Sequence, residues 1–199
     1  NAPYVLPNAR SGYRMGNGQI VDSMIYDGLW DPYDQVHMGI CGDLVAKKYG
    51  FTREDQDAFA RASFERAIQA QKAGKFKAEI VAVPVPQRKG DPVLVDEDEG
   101  PKKAQLDKMP GLKPAFSKDG TVTAANASSI NDGAAALVVT SAAVAKKHGL
   151  PVLARILGDA SAAVEPKWFT VAPVEALRKL YAKTSTKPTD WDLYEILVE

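Results

Sequence analysis

The sequence predicts an α/β protein, and three observations carry that class. The second half alternates strand-patterned and helix-patterned segments, the order that lays helices on a sheet. The first half sets one strongly capped helix beside strands that carry proline. No repeat or low-complexity tract interrupts the 199 residues, a length for one large domain or two small ones.

Residues 1–36 are rich in Gly, Pro, Asn and Tyr and hold no long period. They read as an extended, surface-covering segment. With Tyr4, Tyr13 and Met15 exposed, it is a lid, an arm on a partner subunit, or an ordinary irregular loop. The run GICGDLVAKKY, residues 39–49, predicts a short helix stopped by Gly50. FTREDQDAFARASFERAIQAQKAG predicts the clearest helix of the chain. Thr52 is its N-cap, and Asp55 three residues on approximates a capping box. Acids crowd its first turn, bases follow, and Gly74 ends it, as the helix dipole favours. Phe59, Ala62, Ala67 and Ala70 are expected near one face.

EIVAVPVPQRKGDPVLV, residues 79–95, alternates as strands do but contains Pro84, Pro86 and Pro92. Proline cannot donate to a ladder, so these are edge or irregular strands joined by the turn QRKGD. DEDEGPKKAQLDKMPGLKPAF is polar and broken by proline, and reads as a long functional or surface loop. Ser141 caps a helix AAVAKKHG that stops at Gly149. LARILGDASAAVE reads as a strand entering a small-residue loop. PVEALRKLYAK is a helix after Pro173, and DWDLYEILV is a strand. So few strands would not hold an α/β core alone, and both ends of the sequence read as cut.

The composition is that of an ordinary globular protein, 45% hydrophobic, with 25 acids against 25 bases. A net charge of zero gives no case for nucleic acid or an anionic membrane. The single cysteine rules out an internal disulfide and fits a reducing compartment. No apolar run is long enough to span a bilayer, and the N-terminus has no signal-type apolar core.

CxxC, HExxH, GxGxxG after a strand and GxxxxGK[ST] are all absent. His148, in KKHG, suits a solvated helix end. His37, in VHMGIC, reads either as a buried or capping histidine or as a ligand contact. Cys41 would need a base and an orienting group to act as a nucleophile. On an apolar helix it weighs towards a small core residue. The stretch TVTAANASSINDGAAALVVTS, Thr121 to Ser141, is almost all small residues before the buried-looking run ALVV. Such a composition fits a backbone approached closely by a ligand, or tight strand packing, which would explain Ala134–Ala136 equally well.

The segments NAPYVLPNARSGYRMGNG, HMG at His37–Gly39, TREDQDAFA, AGKFKAEIV, PQRKGD, GTVTAANASSINDGAAALVV and LARILGDASAAVEP together resemble the thiolase family, the biosynthetic type most closely. The resemblance runs along nearly the whole chain, and the NASSINDGAAA block is its most specific part. It implies a fragment of the thiolase fold, which has two βαβαβαββ halves and a loop domain inserted in the first. Residues 1–118 would be the loop domain with its tetramerisation arm. Residues 119–150 would close the N-terminal half, and 151–199 would open the C-terminal half. The family's nucleophilic cysteine would precede Asn1. Its NEAF asparagine, GHP histidine and CxGGG cysteine would follow Glu199, with LVE at Leu197–Glu199 standing where NEA is expected. No catalytic residue and no metal site is therefore expected within this chain.

The resemblance implies an acyltransferase that condenses two acetyl-CoA to acetoacetyl-CoA, or thiolyses a 3-ketoacyl-CoA, through an acyl-cysteine. It further implies fatty acid metabolism, a homotetramer, and a cytoplasmic setting, or the mitochondrial matrix or peroxisome in a eukaryote. No cofactor is expected; coenzyme A enters as part of the substrate. Leu29, His37 and Met38 would line the adenine and pantetheine path, and Lys103 and Lys108 would face its phosphates. Phe116, Ala124, Ala127 and Ile130 would wall the tunnel, Ser128 would bond the pantetheine, and Phe169 would border the acyl pocket. Some thiolases hold potassium with a tyrosine and alanine carbonyls. Ala124, Ala125 and Ala127 are present, but Phe64 stands at the tyrosine position, which argues against potassium. Two other classes stay open: a non-catalytic CoA- or lipid-binding relative, and an element that mainly assembles an oligomer.

Overall fold

The computed structural model describes residues 2–196. The Leu197–Glu199 departure lies outside the described residues. The chain divides into two compact units, Asn1–Ala127 and Ser128–Glu199.

The first unit opens with two small antiparallel ladders. β1 (Tyr4–Val5) pairs with β2 (Val21–Asp22), and β3 (Trp30–Asp31) pairs with β4 (Val36–His37). A π-helical turn, Met24–Leu29, connects them. Tyr4, Met15 and Ile20 are exposed along this arm. α1 (Met38–Tyr49) follows β4 without a linker. His37 caps it, its Nδ1 accepting from the Gly39 N–H at 3.0 Å. Gly50 ends it at φ 72°, a left-handed geometry that glycine adopts without strain.

α2 (Arg53–Lys72) is the longest element and carries the expected capping box. The Thr52 hydroxyl accepts from the Asp55 N–H at 3.1 Å, and the Asp55 carboxylate accepts from the Thr52 N–H at 3.0 Å. A cap of this kind stabilises a helix by about 1 kcal/mol. Of the expected apolar face, Ala62, Ala67 and Ala70 are half-buried, but Phe59 is not. Phe59 is 79% exposed, and Ala60 is the buried position. The face that packs runs through Arg53, Gln56, Asp57, Ala60 and Arg61, and four of these five anchor through polar groups.

β5 (Val83–Val85) and β6 (Val93–Val95) form the expected proline-bearing hairpin, with Pro84 opposite Leu94. The segment expected as a long loop is instead partly helical. α3 (Glu99–Lys103) and a 3-10 turn, Leu106–Gly111, lie in it and pack on α2. Asp98 makes the helix possible by accepting from the Gly100 N–H at 2.9 Å. Among the described residues of this unit the buried ones are few: Asp31, Cys41, Ala46, Ala60, Met109 and Thr123.

The second unit contains α4 (Ala142–His148), capped by Ser141 and closed by Gly149, and α5 (Ala172–Thr184). A 3-10 turn, Pro166–Val171, leads directly into α5, and another covers Pro188–Asp190. The strands expected around ALVV, LARIL and DLYEI do not form among the described residues. ALVV is also not buried: Leu137 and Val138 are 88% and 91% exposed. A strand exists only where a neighbour satisfies its N–H and C=O groups, and no neighbouring strand lies beside these segments within the described residues.

Candidate functional site

The first unit builds its candidate site on the start of α1 and on the segment from Leu112 to Ala127. That segment has no strand ladder; besides a few backbone bonds of its own, such as the Ala115 N–H to the Val122 carbonyl at 2.9 Å, its backbone is held by side chains from the two helices. The Asp43 carboxylate, on α1, accepts from the Ser117 hydroxyl at 2.6 Å and from the Thr121 and Val122 N–H groups at 2.8 and 3.0 Å. Gly120 is required beside it, because a Cβ there would run into the Asp43 carboxylate and the Ser117 hydroxyl. From α2, the Gln56 amide donates to the Thr121 hydroxyl at 2.9 Å. Asn126 then closes the turn. Its Oδ1 accepts from the Thr123 N–H at 2.7 Å, and its Nδ2 donates to Asp57 and to the Thr121 carbonyl, each at 3.0 Å.

His37 and Phe116 meet at the N-terminus of α1. Their rings stack with centroids 4.5 Å apart. Gly39 makes the room, since a Cβ at that position would enter the Phe116 ring. Burial holds the His37 pKa below the ordinary 6.5, so the ring is neutral at pH 7. With Nδ1 accepting from Gly39, the remaining proton sits on Nε2, which leaves that nitrogen a donor. Met38 and Leu29 are half-buried close by in sequence, at the start of α1 and the end of the π-helical turn.

Lys103 ends α3 and is paired with Glu99 at 2.6 Å in an exposed i,i+4 bridge. Lys108 lies on the 3-10 turn and carries no ion pair among the described residues. With Arg61 and residues 104–107 it lines a surface cavity of about 470 Å³. Ala124 and Ala127 are exposed on the turn that Asn126 closes. Ser128, Ile130 and Phe169 belong to the second unit. There Ser128 and Ile130 are exposed, while Phe169 is half-buried in the turn before α5.

Cys41 is a core residue, 0% exposed. Burial first, and then the negative charges of Asp31 and Asp34, push its thiol pKa up, so the reactive thiolate is disfavoured. Asp31 is itself buried; one of its oxygens accepts from the Tyr33 N–H at 2.9 Å, and the other has no hydrogen-bond partner among the described residues.

The small-residue stretch is therefore not one feature. Thr123 and Asn126 are spent on fixing the turn. Asn131 bonds the Ser129 hydroxyl at 2.7 Å. Gly133 has open space around it, and Ala134–Ala136 are exposed and outside any strand, so packing within the described chain does not explain them. Sequence reasoning missed Asp43, Asp57, Arg53 and Gln56. For the three on α2 the signal was the spacing Arg53–Gln56–Asp57, one polar stripe on an otherwise ordinary helix; Asp43, on α1, lies outside it.

Residues 1–143 match the family model of the thiolase N-terminal domain. An acetyl-CoA acetyltransferase of Cupriavidus necator is 57% identical over 196 residues, 98% of this chain and 50% of the relative. One of Pseudomonas aeruginosa is 53% identical, again covering 98% and 50%. Among solved structures, the acetyl-CoA acetyltransferase of Bacillus anthracis superposes with a TM-score of 0.87 at 40% identity, over 96% of this chain and 48% of that one. A thiolase of Ascaris suum in complex with coenzyme A also gives 0.87, at 42% identity, over 97% and 49%. The fold is thus the thiolase-like fold, and the chain spans about half the length of these relatives.

Proposed function

The chain belongs to the thiolase family, and from that premise we propose that it serves acetyl-CoA acetyl transfer, condensing two acetyl-CoA or thiolysing a 3-ketoacyl-CoA through an acyl-cysteine. In this reading residues 1–199 contribute the coenzyme A surface and an oligomerisation arm. The nucleophile and the bases of the reaction stand on other residues of the whole protein. Cys41 does not substitute for them, because its sulfur is sealed from any substrate.

The observation that carries the reading is the His37–Phe116 stack at the start of α1, the helix whose Asp43 also holds the backbone of Thr121 and Val122. A slender thioester arm needs apolar walls that do not move and few donors, and this corner supplies both. Neutral His37 offers an Nε2–H without adding a charge. Lys108, beside the cavity it shares with Arg61, supplies the cationic end for phosphates. The turn of Ala124 and Ala127 passes the pantetheine, and Ser128 follows it in sequence. This reading assigns potassium no part, since Phe64 has only carbon to offer and alanine carbonyls alone would have to hold the ion. The β1–β2 arm, with its exposed Tyr4, Met15 and Ile20, packs on another copy in a homotetramer.

Calorimetric titration of the chain with coenzyme A tests the proposal. Saturable binding, without condensation of acetyl-CoA by the 199-residue chain alone, is the expected outcome. No binding, or condensation that alkylating Cys41 abolishes, would overturn it.

A further inference from the structure

We propose that Asp57 is a positioning residue that sets the register between the two segments assigned to coenzyme A, with Arg53 as its second hand. The inference rests on the coenzyme A reading above. It begins from a chain of contacts that crosses three pieces of backbone. Asp57 Oδ1 accepts from Asn126 Nδ2 at 3.0 Å, and Asp57 Oδ2 accepts from Arg53 Nε at 2.8 Å. The two other guanidinium nitrogens of Arg53 donate to the Leu112 and Met109 carbonyls, at 3.0 and 2.7 Å. One carboxylate and one guanidinium, a turn apart on α2, thereby join the Met109–Leu112 segment to the Thr121–Asn126 turn.

Both ends of this bridge sit next to residues assigned to the ligand. Lys108 immediately precedes Met109, and Ala127 immediately follows Asn126. The pair is mostly buried, its side chains 19% and 12% exposed, so its hydrogen bonds work in a lower dielectric than a surface bridge. The planar fork of Arg53 fixes two carbonyls at once, which a lysine cannot do.

Each segment also has a tie that does not pass through Asp57. Asp43 holds Ser117, Thr121 and Val122 from α1. Arg61 holds the Leu106 carbonyl at 2.5 Å. The Gln56 amide still ties Thr121 to α2 at 2.9 Å, so loss of the bridge loosens the distance between the segments without severing it and leaves each segment shaped. Only a ligand long enough to touch both feels that distance. A ligand that touches one does not.

The experiment titrates the full chain with three probes: coenzyme A, adenosine 3′,5′-bisphosphate and pantetheine. The variants are Asp57→Ala and Arg53→Lys, each with its thermal melt recorded. Coenzyme A is expected to bind about tenfold more weakly to both variants, as the effective concentration of its second end falls, while each short probe stays within about twofold of wild type. Coenzyme A binding unchanged in both variants overturns the proposal. An equal loss of all three probes also overturns it, because that is the mark of a purely structural role. A wild-type chain that binds none of the three overturns the coenzyme A reading itself, which separates the two failures. If Asp57→Ala does not fold, Arg53→Lys decides, since it leaves the Asp57–Asn126 bond in place.

Discussion

His37 and Phe116 stack with their planes inclined by 27°, and the residue that permits it is Gly39, two positions along the helix that His37 caps. Cap, stack and glycine form one device. Gly39→Ala should lower stability by about 1–3 kcal/mol, the usual cost of overpacking. In a Phe116→Ala background the same change should be neutral or stabilising by up to about 1 kcal/mol, because alanine favours a helix more than glycine does. Chemical denaturation of the four proteins in this cycle measures it. Additive effects would show that the ring and the glycine are not coupled.

The same histidine predicts a pH dependence. Its folded pKa lies below 6.5, so between the two values the unfolded chain binds more protons than the folded one. Stability from this group is therefore complete above 6.5 and is lost as pH falls through the lowered folded value. Asp55, drawn down by the Thr52 N–H and hydroxyl, has the same sign but acts only below 3.8, a separate window. His37→Asn keeps a capping side chain and removes the titration. Melting curves from about pH 7 to about pH 5 should fall more steeply for wild type than for the variant. Parallel curves would reject the assignment.

Cys41 should resist alkylation in the native chain and react at once in denaturant, since burial both blocks the reagent and disfavours the thiolate. Mass spectrometry after iodoacetamide treatment gives the answer. Rapid labelling under native conditions would mean that α1 opens far more readily than its buried sulfur implies.

Lys103→Ala with Lys108→Ala, in the whole protein, should raise the Michaelis constant for acyl-CoA about tenfold and leave turnover nearly unchanged, as exposed charge-assisted contacts are worth roughly 1 kcal/mol or less each. Lys108 should carry more of this than Lys103, whose ammonium must first leave Glu99. A turnover loss with an unchanged Michaelis constant would contradict the binding role.

Ser128→Leu should abolish coenzyme A binding with a melting temperature near wild type. The position is exposed, so the added bulk can extend into solvent. Paired calorimetric melts and titrations test it. A lowered melt with binding intact would return Ser128 to a packing role.

The helices were legible because their signals are local. Thr52 with Asp55, Gly50, Ser141 and Gly149 each act within one turn of their own position, and each appears where expected. The strands of the second half were not, because a strand is a relation between two segments and pattern alone names only one of them. In the candidate site, sequence pointed to residues along the ligand path and passed over what holds them. Arg53, Asp57 and Asp43 reach groups between 56 and 79 positions away, and no periodicity within a helix encodes such distances. Only His37 showed its role in advance, as one of two alternatives, because a cap is again a local matter.

The β5–β6 hairpin has a consequence for handling the protein. Val83, Val85, Val93, Leu94 and Val95 are all exposed on a ribbon only two strands wide. A valine-rich ribbon of this kind is a natural seed for fibril growth, in which each new chain adds to an open edge. Pro84 lies within β5 and Pro86 just past its end, two positions on, so a strand extended through both would lack two donors on one edge. An incoming strand would find the Pro84 donor missing, and could not extend the edge through Pro86. Replacing both prolines by valine would complete the row, and concentrated samples would then thicken into thioflavin-positive aggregates on standing.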